Sequence, residues 1–145
     1  CRLFVIMAVC TREIEVDAKA DVDLHDITHQ VDKALHDSRL RNGIVTVFVP
    51  GATGAVSTIE YEPGLLKDIP RALEEIAPTN IDYEHHKTWG CDNGSSHVRA
   101  TFIGPSLVVP FTDGNLILGT WQQIVFMNLD TKARRRRVVL QIMGE

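Results

Sequence analysis

The chain predicts an α+β fold with a largely antiparallel β-sheet core, and three observations predict it. The first half reads as two strand-like segments, each followed by an amphipathic helical stripe. The second half is a run of short apolar segments separated by turn residues such as Gly104-Pro105 and Asp113-Gly114. Strand and helix do not alternate regularly to the end, as a doubly wound parallel sheet would require. A length of 145 residues, with no internal repeat, low-complexity tract or Gly/Ser linker, fits a single domain over 1–145.

Each element follows from its pattern. Residues 3–10 (LFVIMAVC) are apolar on both faces, as in a strand held inside a core, and residues 11–16 then alternate, Ile14 and Val16 opposite Glu13 and Glu15. Asp23 or Asp26 caps a first helix whose stripe is Ile27, Val31, Ala34 and Leu35, ending near residue 37. Asn42-Gly43 stops it and opens a strand over 44–49. Gly51 to Gly54 forms a tight turn into a strand over 55–61. Leu65, Ile69, Leu73 and Ile76 mark a second helix, with Pro70 tolerable in its first turn or at a kink. Strands are expected over 97–103, 107–111, 115–118, 121–128 and 135–143, with the two helices covering one face of the sheet.

Composition narrows the function classes. A content of 44% hydrophobic and 23% charged residues is that of an ordinary globular protein, and a net charge of −4 argues against general nucleic-acid binding. The local exception is Arg134 to Arg137, either a set of bidentate phosphate contacts or a charged strand end in water. Cys1, Cys10 and Cys91 form no C-x-x-C pair, so neither a disulfide framework nor a zinc ribbon is indicated, and a reduced, cytoplasmic setting is the simpler expectation. The apolar run 3–9 is too short to span a bilayer, so no membrane partner is expected. Because the chain starts with Cys, a removed signal peptide or a lipid-anchored Cys1 stands behind the plainer reading of a buried strand.

Several segments carry candidate chemistry. His25, His29 and His36 fall within roughly 40° on a helical wheel, but the apolar stripe points the other way, so they face solvent. The segment YEHHKTWGCDNGSSHVR (83–99) is either one wall of a site or a polar connection. Strand parity would project His97 and Arg99 together, and His85 or His86 could return to meet His97. Two imidazoles plus a carboxylate such as Glu60 or Asp92 would make a divalent-metal site with open positions. Gly51-Ala52-Thr53-Gly54-Ala55 has the composition of an anion-binding turn, or of a simple hairpin turn, and is not a P-loop. In Leu118-Gly119-Thr120-Trp121-Gln122-Gln123, Trp121 offers a stacking face and Gln122 both a donor and an acceptor, although a core tryptophan after a turn would look the same.

SLVVPFTDGNLILGTWQQI (106–124) closely resembles the signature of the YjbQ-like proteins. The resemblance extends in order to GATGAVSTIEYEPGLLKDIP, YEH, SHVRATFIGPS and the closing RRVVLQIMGE. It implies an α+β fold assembled as a homotrimer, with sites near the subunit interfaces, and a secondary thiamine-phosphate-synthase-like activity on a phosphorylated small molecule. It also implies His85 and His97 as ligands of a divalent ion, zinc or magnesium, with no organic cofactor. His97, Glu60 and Arg99 are implied as catalytic groups, and Thr53, Thr120, Trp121, Gln122 and one of Arg136 or Arg137 as substrate contacts, with Arg137 preferred. The alternative is a non-catalytic trimer that binds a metal or a phosphometabolite. One departure stands out: many relatives begin the turn with His-Thr-Thr or His-Thr-Ser where this chain has Gly51-Ala52-Thr53, so a third histidine is missing.

Overall fold

Alternating polar and apolar residues divide the chain between two antiparallel sheets. The computed structural model describes residues 4–145. Its elements are β1 (Ala8–Ala18), β2 (Asp23–Asp26), α1 (Thr28–Ser38), β3 (Gly43–Phe48), β4 (Gly54–Ile59), α2 (Leu65–Ile76), α3 (Glu84–Trp89), α4 (Gly94–Ile103), β5 (Ser106–Thr112), β6 (Asn115–Leu116), β7 (Gln123–Asn128) and β8 (Arg134–Gly144). One sheet has the order β1-β8-β3-β5-β6 and the other β2-β7-β4. In β8, Val138, Leu140 and Ile142 point inward, while Arg135, Arg137 and Gln141 point out.

Strand β7 is the wall between two cores. Its run Ile124-Val125-Phe126-Met127 is apolar at every position, the pattern of a strand covered on both faces. Ile124 and Phe126 pack with α1 and the five-stranded sheet, around Val31, Leu35, Val45 and Leu140. Val125 and Met127 pack on the other side with Leu73 of α2 and Ala100 of α4. The layers are therefore the large sheet, a core holding α1, the small sheet, a second core, and helices α2 and α4.

The α+β class matches the sequence, with four helices where two were expected. Residues 97–103 are helical: Ser96, Arg99 and Ala100 are buried and Ile103 packs on the second core, a spacing of three, four and seven that only a helix places on one face. The expected helix start near Asp23 is strand β2, so His25 does not share a helix with His29 and His36. Asp26 instead accepts hydrogen bonds from the Thr28 backbone N–H and hydroxyl just before α1. Strand β6 ends at Leu116 and β7 starts at Gln123, which leaves Trp121 in a turn.

The expected buried strand over 3–10 is also corrected. Leu3 lies outside the described residues, while Phe4 and Ile6 are 90% and 81% exposed. Ala8 pairs with Gly144 at the end of β8, so residues 4–7 run past the ladder and are exposed. No helix among the described residues is long and apolar enough to cross a membrane.

A prediction follows from the double-sided burial of β7. Phe126→Ala removes a fully buried ring from the first core and should lower the free energy of unfolding by about 3–5 kcal/mol, read as a fall in the urea midpoint.

Candidate functional site

The polar end of β7 organises the site. Asn128, the last residue of the strand, is fully buried. Its amide donates to the carbonyls of Lys19 and Lys132, and its Oδ1 accepts from Arg136 Nε at 3.1 Å. Two residues on, buried Asp130 receives Arg134 Nε at 3.1 Å and the Thr53 hydroxyl at 3.2 Å, with Arg136 Nη2 at 3.5 Å. Arg136 Nη2 also donates to Thr53 Oγ1 at 2.6 Å. Burial pushes the Asp130 carboxyl up, but Arg134, then Thr53, outweigh it and hold the pKa below the usual aspartate value.

This node holds the Gly51–Gly54 turn. The Leu129 backbone N–H donates to the Thr53 carbonyl at 2.9 Å. The turn carries the chain from β3 in one sheet to β4 in the other, so it is not the hairpin turn that its composition also allowed. Gly51 has φ +119°, a conformation that L side chains rarely adopt. Against the turn lies a cavity of about 170 Å³ lined by Gly51, Ala52, Gly54, His97, Ala100, Thr101 and Pro105.

Helices α3 and α4 bring the second wall. The His85 and His97 rings lie with centroids 4.3 Å apart, at 52°. His86 turns the other way: its Nε2 accepts the Gly94 backbone N–H at 3.0 Å, closing the α3–α4 connection. Burial lowers the His97 pKa below the ordinary histidine value, the neighbouring His85 lowers it further, and Asp130 partly opposes both. His97 is therefore neutral at pH 7 and faces the cavity with a free proton-accepting site.

Other expected residues lie elsewhere. Residues 97 and 99 are two apart on a helix and point roughly 200° from each other, so the shared strand face is absent. Arg99 is 4% exposed, bonded to the Ala77 carbonyl through Nε and Nη2 and paired with Glu74 at 2.6 Å, which makes it a clamp between α4 and the end of α2. Arg137 points to the outer face of the large sheet and pairs with Glu13 at 3.2 Å, as Arg135 pairs with Glu15. It is Arg136, on the opposite face of β8, that reaches the turn. Asp92 accepts from the Thr131 hydroxyl at 3.3 Å.

Glu60, Thr120, Trp121 and Gln122 gather at the far end of the β4–β7 ladder. Gly54 pairs with Asn128 and Ile59 with Gln123, so the two ends are roughly 16 Å apart. Trp121 is 71% exposed in its turn. Gln122 braces that turn, with Oε1 accepting from the Gly119 N–H and Nε2 donating to Thr58 Oγ1, each at 3.0 Å. Sequence reasoning found both clusters and merged them into one pocket; it missed Asn128 and Asp130. The available signal was a pair of polar residues bracketing Leu129 straight after four apolar ones.

A divalent ion does not fit the residues that this chain assembles. Among the described residues no three His, Cys, Asp or Glu side chains come together to hold one. His85 and His97 supply two imidazoles, Gly51 supplies no side chain, and Glu60 lies at the other end of β4.

The half-buried, neutral state of His97 carries a pH signature. Because its folded pKa is depressed, the unfolded chain takes up a proton first as pH falls. Stability should be level above the ordinary histidine value and decline as pH drops through about 6.5 toward the folded value. An NMR titration should show His97 protonating at lower pH than a model histidine; a normal or raised value would contradict the arrangement.

The family model described as UPF0047 protein YjbQ-like matches residues 12–145. A UPF0047 protein of Methanothermobacter thermautotrophicus is 39% identical over 141 residues, covering 97% of this chain and 96% of the relative. One from Archaeoglobus fulgidus is 37% identical over 127 residues, covering 88% and 97%. Among solved structures, a YbjQ-like protein of unknown function from Sulfolobus solfataricus superposes with a TM-score of 0.91 at 34% identity, covering 97% of this chain and all of that one. A hypothetical protein from Aeropyrum pernix gives 0.86 at 33% identity, covering 93% and 98%. With both sequence and fold matched over nearly the whole length, the chain belongs to the YjbQ-like UPF0047 family.

Proposed function

We propose that the chain is an enzyme acting on a phosphorylated small molecule, with a thiamine-phosphate-synthase-like transfer among its activities. The observation that carries this reading is the His85–His97 ring pair, with His97 lining the cavity beside the Gly51 turn, and the cationic node that holds that turn through Thr53. Joining a pyrimidine-methyl diphosphate to a thiazole phosphate breaks a carbon–oxygen bond and leaves diphosphate carrying the charge. His97, neutral in the free protein, is stabilised as imidazolium by an arriving oxyanion and can then hydrogen-bond or protonate the departing diphosphate. The cavity is of a size to take one phosphate group, which leaves the ring of the substrate outside it.

The exposed Trp121 face is the surface on which such a ring would stack. It lies at the other end of β4 within one chain, so this reading includes assembly as a homotrimer, in which a neighbouring copy supplies Glu60, Trp121 and Gln122. A second reading draws on that same distance. Glu60, expected to accept a proton, is roughly 20 Å along β4 from Gly54; a site lacking it would bind a phosphometabolite without turning it over.

Formation of thiamine phosphate from the two phosphorylated precursors tests the proposal. His97→Ala should lower the rate by a factor on the order of 10² or more, and Trp121→Ala should raise the KM, with circular dichroism unchanged in both. Undiminished turnover in His97→Ala would remove the assignment. A melting point raised by diphosphate without any turnover would favour the binding protein.

A further inference from the structure

We infer that the anion site of this chain is metal-independent and that Arg136 is its anchor, reached across the bare backbone of Gly51. The inference rests on the reading of this cavity as a phosphate site, and it names the group that holds the phosphate. Three of the five guanidinium N–H bonds are engaged or directed: Nε to Asn128, and Nη2 to Thr53 and Asp130. Nη1 makes no hydrogen bond among the described residues. It is not sealed in either, since the buried polar atoms left without a partner are Asn93 Oδ1 and Ser96 Oγ.

Gly51 stands on the Nη1 side. A Cβ built on Gly51 would sit 3.7 Å from Arg136 Nη1, and the same glycine lines the cavity with His97. Any side chain here would lie over the guanidinium edge; its absence leaves that edge open. The Arg136 side chain is itself only 13% exposed, so its charge is poorly screened by water and its fork is fixed by three partners before any ligand arrives. Asp130 cancels part of that charge, but Arg134 shares the same carboxylate, so the cluster keeps a surplus positive charge.

The donor set agrees with this assignment. A guanidinium edge behind Gly51, with His97 on the wall of the cavity that Gly51 lines, suits a phosphate or diphosphate oxygen, whereas a cation would find only His85 and His97. Neither Arg99, closed in its pair with Glu74, nor Arg137, on the far face of β8, can take this role.

Calorimetric titration of the full chain with inorganic diphosphate, after treatment with a chelator and again with magnesium or zinc restored, tests the inference. Binding should be present without metal and change little when metal returns. Arg136→Lys, which keeps the charge and loses the fork, should weaken it about tenfold or more. Gly51→Asp, which lays a carboxylate against Nη1, should do the same, and it decides the matter if Arg136→Lys fails to fold. Binding that appears only with metal would overturn the inference. So would undiminished binding in a folded Gly51→Asp variant, which would leave the phosphate reading standing with another anchor. Binding to none of the proteins under any condition would overturn both.

Discussion

A largely enclosed guanidinium, that of Arg136, sets the terms for the rest of this molecule. Arg136 enters from β8 in the large sheet, and Asn128 and Asp130 meet it at the end of β7 in the small one. Thr53, in the turn that passes from one sheet to the other, completes the shell. Removing a partner from such a pair leaves an uncompensated charge in a low-dielectric interior, typically a loss of about 3–5 kcal/mol. The register of β8, the end of β7 and the path of residues 51–54 are therefore coupled: none can shift without stranding charge. Apolar packing forms the two cores, and this polar node fixes how the sheets meet at their edge.

The same constraint explains why chemistry would gather here. The node holds the Gly51–Gly54 turn through Thr53, that turn lines a small cavity, and α4 delivers His97 to the same cavity. Helix α3 is short, yet it sends two adjacent histidines to different partners. His86 closes the connection into α4 through the Gly94 N–H, which leaves His85 to pack its ring, tilted, against His97. At the other end of the β4–β7 ladder, the Gly119–Gln122 turn is held by its own glutamine and presents Trp121 to solvent. One chain thus places the two groups of candidate residues at opposite ends of a single strand pair.

Much of this was legible in the sequence, and the failures have physical causes. Apolar runs bounded by turn residues located β3, β5 and β8, and the stripe of Ile27, Val31 and Leu35 located α1. The resemblance selected His85 over His86, as the ring geometry does. The segment HVRATFI misled because alternating residues fit a strand as well as a helix over seven positions. Only tertiary burial of Arg99, Ala100 and Ile103 decides it, and that burial depends on β7, far along the chain. The exposed start of β1 misled for a related reason. Apolar residues predict burial only where a partner strand reaches them, and β8 ends at Gly144. Asn128, Asp130 and Arg136 were invisible as a unit because their meeting is set by sheet register; with four consecutive arginines, parity separates Arg136 from its neighbours but does not say which side is buried.

The central claim is that Arg136 is locked on one edge and open on the other. The most direct measurement is nitrogen-15 NMR of the arginine guanidinium groups during titration with diphosphate in metal-free buffer. Arg136 should show hindered rotation in the free protein, with distinct Nη signals because Nη2 is held by Thr53 and Asp130. The Nη1 signal should shift with ligand while those of Arg99 and Arg137 do not. An averaged, freely rotating Arg136, or shifts confined to another arginine, would contradict it.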